Sequence, residues 1–83
     1  MLKFKSITLL DRSHLSTKIK YRLVKINNGF YIERLFCNSS LRLYPIKELL
    51  LDSKNPQKLS INLRKSLNIA LKLPELKHLA LFL

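Results

Sequence analysis

Ile19-Lys20-Tyr21-Arg22-Leu23-Val24-Lys25-Ile26-Asn27-Asn28-Gly29-Phe30-Tyr31-Ile32-Glu33-Arg34-Leu35-Phe36-Cys37 is the stretch that decides the fold. Over Lys18–Leu23 apolar residues and cations alternate. Ile19, Tyr21 and Leu23 fall on one side of an extended strand, and Lys18, Lys20 and Arg22 on the other. Residues 18–26 therefore read as a strand. Asn27-Asn28-Gly29 follows, and Asn-Gly between two apolar-rich runs is a strong hairpin signal because both residues tolerate positive φ. Gly29 is the single glycine of the chain. Phe30–Cys37, rich in aromatic and β-branched residues, reads as the return strand.

Outward toward the N-terminus, Leu2 and Phe4 alternate with Lys3 and Lys5, which makes residues 2–9 a further strand. Its alternation slips at Ser6–Ile7, where a bulge is expected. Asp11–Thr17 reads as a polar loop. Toward the C-terminus, Asn38-Ser39-Ser40 ends the return strand. Pro45–Leu51 reads as one or two helical turns with Pro45 at the first position. Ser53–Lys58 is a loop, and Leu59–Leu63 alternates like a short strand. From Leu63 the apolar period changes to 3.6, with Leu63, Leu67, Ala70 and Leu71 on one stripe. Pro74-Glu75 interrupts this helix and starts a second, with Leu76, Leu79, Ala80 and Leu83 inward. The expected fold is α+β, a small antiparallel or mixed sheet with an N-terminal hairpin. Two C-terminal helices cover its apolar face.

The chain has 83 residues, expected to form one domain over 1–83, and a hydrophobic share of 47% that is sufficient for a core. A domain of this size buries only about 60–65% of its unfolded surface, so its stability margin is thin. Sixteen Lys and Arg against five Asp and Glu give a net charge of +11. Such a surplus repels itself and points to a polyanionic partner. The single cysteine, Cys37, excludes an internal disulfide and fits a reducing compartment. It is expected as a buried strand residue. No stretch reaches the roughly 20 apolar residues that span a bilayer. Lys3, Lys5, Asp11 and Arg12 interrupt any secretory signal, so the mature chain is expected to start at Met1.

Catalysis requires tuned groups gathered in a pocket. The candidates are His14, His78, Cys37, Asp11, Asp52, Glu33, Glu48 and Glu75, scattered and without metal-ligand spacing. One glycine makes no phosphate loop. The reading is a non-enzyme with no cofactor and no metal. Lys47, Lys54, Lys58 and Lys77 read as a solvated face or as auxiliary contacts. The strand cations are expected to gather once the strands pair, at a cost in like-charge repulsion that a phosphate backbone relieves. Tyr21 and Tyr31 are either base-stacking residues or core residues with their hydroxyls at the rim.

Met1-Leu2-Lys3-Phe4-Lys5, Tyr21-Arg22-Leu23-Val24 and Asn28-Gly29-Phe30-Tyr31-Ile32-Glu33-Arg34-Leu35 occur in an order that resembles bacterial-type small-subunit ribosomal protein sixteen. That family typically carries Met-Val-Lys-Ile-Arg, Tyr-Arg-Ile-Val and Asp-Gly-Arg-Phe-Ile-Glu-Glu-Ile. Ile61-Asn62-Leu63-Arg64-Lys65 resembles its strand running into a helix, and Pro74 with Leu76 and Leu79 resembles the start of its last helix. The resemblance implies a structural rRNA-binding protein that contacts the 5′ and central domains and supports subunit assembly. Its partners would be small-subunit rRNA and neighbouring ribosomal proteins, with no membrane and no small-molecule substrate. The candidate rRNA-binding residues are Lys3, Lys5, Arg12, Lys18, Lys20, Arg22, Lys25 and Arg34. The chain departs from the family in its first loop, Leu10–Ile19, and over residues 41–58. That drift, with abundant Lys, Asn, Ile and Leu, points to an organellar ribosome, in a plastid or mitochondrion, ahead of a bacterial cytoplasm. Three alternatives stay open. One is another organellar ribosomal protein, since Tyr44–Leu50 and Lys77–Phe82 loosely resemble small-subunit protein eighteen. The others are a basic nucleic-acid-binding module outside the ribosome and a membrane-surface helix over Leu67–Leu83.

Overall fold

The computed structural model describes residues 6–12 and 18–82, with only the backbone for Phe82. Lys3, Lys5 and His14 lie outside the described residues, as do half of the 2–9 strand and most of the Asp11–Thr17 loop. Four strands form one antiparallel sheet in the order β1 (Ser6–Asp11), β2 (Ile19–Ile26), β3 (Gly29–Phe36), β4 (Ser39–Pro45). Helices α1 (Ile46–Asp52) and α2 (Ile61–Ala70) follow, then a 3-10 helix at Lys77–Phe82. The protein is a small α+β fold, and its described sheet is wholly antiparallel.

The central hairpin turns at Asn27-Asn28, because Ile26 pairs with Gly29. Asn27 takes the positive φ, 54°, whereas Gly29 has none and already belongs to β3. Gly29 serves close approach instead: a Cβ there would stand 3.0 Å from the Tyr31 ring. A second two-residue turn, Cys37-Asn38, joins β3 to β4 with both residues at positive φ, 50° and 66°. That pair of left-handed residues matches the twist of a tight hairpin. Cys37 is thus an exposed turn residue, not a buried strand residue.

Strand β4 (Ser39–Pro45) starts where the sequence reading ends the sheet, at Ser39-Ser40, and fills a stretch to which that reading assigns no element. It is an edge strand, with Ser39 to Leu43 exposed, so no buried alternation marks it in the sequence. Pro45 closes it at the edge, where a missing N–H is tolerated. The bulge in β1 falls between Thr8 and Leu10, two residues later than expected. There the extra residue lets Leu9 join the core while Leu10 packs against it.

Pro45 caps α1 from one position outside the helix. Leu59–Leu63 is not a strand. The Ser60 hydroxyl accepts the Leu63 N–H at 3.2 Å and starts α2 at Ile61, which stands 74% exposed. Leu63, Ser66, Leu67 and Ala70 form the buried stripe of α2, and the Ser66 hydroxyl donates to the Asn62 carbonyl at 2.8 Å. The second C-terminal helix is a short 3-10 turn, with Leu76 fully buried before it, Leu79 partly packed and Ala80 exposed. Because α2 ends at Ala70, Leu67–Leu83 does not form one continuous helix, and Leu67 faces the core. No described helix is long and apolar enough to cross a membrane.

The helices pack on the sheet face bearing Tyr21, Leu23 and Ile32, where Ile46, Leu49, Leu50, Leu63 and Leu67 meet them. On the opposite face Val24 and Leu35, in separate cross-strand rows, are also buried.

Candidate nucleic-acid interface

Strand parity sorts the cations. On the face away from the helices, cross-strand neighbours run Thr8–Arg22–Glu33–Leu43 and Asp11–Lys20–Leu35–Ser40. Arg22 Nε donates to Glu33 Oε1 at 3.1 Å, and its Nη2 donates to the same oxygen. Lys20 Nζ stands 4.0 Å from Asp11 Oδ2. In the described rows of β1 and β2, then, cations do not oppose cations. Each has a carboxylate beside it, and the like-charge cost expected from the sequence does not arise there.

The remaining candidates lie elsewhere. Arg12 and Lys18 flank the β1–β2 connection. The Arg12 N–H donates to the Ile19 carbonyl at 2.7 Å, and the Lys18 carbonyl accepts from the Cys37 N–H at 3.2 Å. Lys18 has φ 49°, which swings it out of the alternation expected to place it with Lys20 and Arg22. Lys25 sits at the far end of β2, about 23 Å away at the usual rise per residue. It shares the parity of the helix-covered face and holds its ammonium 5.5 Å from the Phe30 ring centroid. Arg34 also lies on the helix-covered side, between Tyr21 and Arg42 in neighbouring strands. The six described candidates therefore occupy both faces and both ends of the sheet. They form one positive field rather than one patch.

Arg42 was absent from the sequence-derived set because β4 itself was not foreseen. Its signal is nonetheless present: Arg42 and Tyr44 alternate against Leu41 and Leu43, and the Arg42 guanidinium lies 4.7 Å from the Tyr44 ring centroid. Tyr21, 3% exposed, is a core residue and not available to a base. Tyr31 is half-buried on the open face. His78 is exposed on the 3-10 helix. Among the described residues, no group of three His, Cys, Asp or Glu side chains is placed to hold a metal ion.

Charge bookkeeping favours cations throughout. Described ion pairs join Lys20 to Asp11, Arg22 to Glu33 and Lys58 to Asp52. Arg12, Lys18, Arg34, Arg42, Lys47, Lys54 and Lys65 take part in none of these pairs. Comparison with known protein families, with curated proteins and with solved structures returned no match.

Proposed function

We propose that this chain is a structural constituent of an organellar small ribosomal subunit, binding and stabilising small-subunit rRNA through its basic surface. The observation that carries this reading is the uncompensated positive charge, +11 over 83 residues, on a fold in which three of the five carboxylates, Asp11, Glu33 and Asp52, are already engaged in local ion pairs. The order of motifs that resembles ribosomal protein sixteen supports reading that polyanion as small-subunit rRNA.

In mechanism, Arg12, Lys18, Lys20, Arg22, Lys25 and Arg34 neutralise phosphates. Arginines engage them in bidentate fashion and lysines act as point charges. Lys3 and Lys5 belong to the same set by sequence. Affinity comes chiefly from counterion release, and selectivity from RNA shape rather than base edges. Arg22 and Lys20 are each shared with a carboxylate, Glu33 and Asp11, and offer phosphate only their remaining donors. The chain supplies binding and orientation, not catalysis.

Sedimentation tests the reading. A tagged chain expressed in its own organelle should travel with the small subunit in equimolar amount and remain there through a high-salt wash. Recovery only in the soluble fraction, or on DNA, would favour a basic module acting outside the ribosome.

A further inference from the structure

We propose that Arg34 and Arg42 form a phosphate-binding cleft on the helix-covered side of the sheet, between strands β3 and β4 and the α1–α2 connection. The two arginines are direct cross-strand partners. They line a cleft of about 400 Å³ with Lys58, Asn62, Glu48 and Asp52. Like charges set opposite each other across a sheet are destabilising. On the open face the chain avoids this by placing Glu33 and Asp11 beside its cations. In the cleft neither arginine has an ion pair among the described residues. Arg34 Nε is in addition buried without a hydrogen-bond partner. An orphaned buried donor on a charged fork calls for an acceptor that carries charge.

The cleft's own carboxylates do not supply it. Asp52 is taken by Lys58, at 3.8 Å. Glu48 lines the cleft but is exposed and pairs with neither arginine, so its charge repels an incoming anion without occupying the forks. A phosphate group fits the requirement: its oxygens accept from two guanidinium forks at once, and stacking against Tyr44 already holds the Arg42 fork in place. Assigning that phosphate to an RNA backbone rests on the function proposed above, whereas the cleft itself does not.

The test is an NMR titration of the full ¹⁵N-labelled chain, following arginine Nε–Hε resonances, with sodium pyrophosphate and separately with a short RNA hairpin. The expected result is saturable shifts at Arg34 and Arg42 with both probes. Pyrophosphate affinity should fall at least tenfold in Arg34→Met, stay within twofold in Lys77→Met, and rise in Glu48→Gln. Arg42→Met, at an exposed residue of the edge strand, gives the same loss. Shifts that grow linearly, spread evenly over basic residues, or survive both arginine variants would overturn the cleft. Pyrophosphate binding with the two arginines silent toward RNA would keep the cleft and overturn its assignment to an RNA phosphate. RNA binding with the arginines silent toward both probes would overturn the cleft and remove Arg34 from the phosphate-binding set, leaving rRNA binding to the other cations.

Discussion

At the scale of single residues, this fold places side chains where their ordinary preferences oppose them, and function is not the reason in every case. Cys37 occupies a left-handed turn at φ 50°, a conformation that costs a residue with a Cβ about 1 kcal/mol or more. Asn tolerates it better, as Asn27 does in the neighbouring turn. Cys37→Asn is therefore expected to raise thermal stability by about 0.5–1 kcal/mol, read from the melting curve; a lower melting temperature would mean that the thiol makes a contribution of its own. The Arg22–Glu33 pair works the other way. Its carboxylate is only 13% exposed, so Glu33→Gln should cost about 0.5–1 kcal/mol of stability. The same change releases the Arg22 fork and should tighten RNA binding about two- to fivefold by fluorescence anisotropy at constant salt. Unchanged or weaker binding would show that Arg22 has no part in the interface.

At the scale of elements, the legible parts were those with one face buried. Strands β2 and β3 announced themselves because Tyr21, Leu23 and Ile32 must face a core, and α2 because Leu63, Leu67 and Ala70 recur at helical spacing. Strand β4 did not, since its first five residues are exposed and its hairpin lacks the glycine that normally marks such a turn. The apparent strand at Leu59–Leu63 was an accident of spacing. Leu59 and Leu63 are both buried, but Ile61 between them stands in solvent, and Ser60 acts as a cap. Ser60→Ala removes that cap and is expected to cost about 1 kcal/mol in chemical denaturation; no change in the midpoint would indicate that α2 is held by packing alone. The candidate site shows the same division. Charge and order were readable, yet the face each cation takes was fixed by parity. Arg34 shares the parity of Ile32, and that alone places it with the helices rather than with Arg22.

At the scale of the molecule, the extents are 37 × 35 × 18 Å, with the helices on one side of the sheet and no described helix on the other. A molecule this thin exposes most of its charge, and with +11 over 83 residues the isolated chain repels itself in every direction. The account's central claim is that this charge is matched by nucleic-acid phosphate. The most direct measurement is the affinity for small-subunit rRNA as a function of salt. If about five phosphates are neutralised, log affinity should fall by roughly 3.5–4.5 for each tenfold rise in monovalent salt. A response that is nearly flat would contradict the claim.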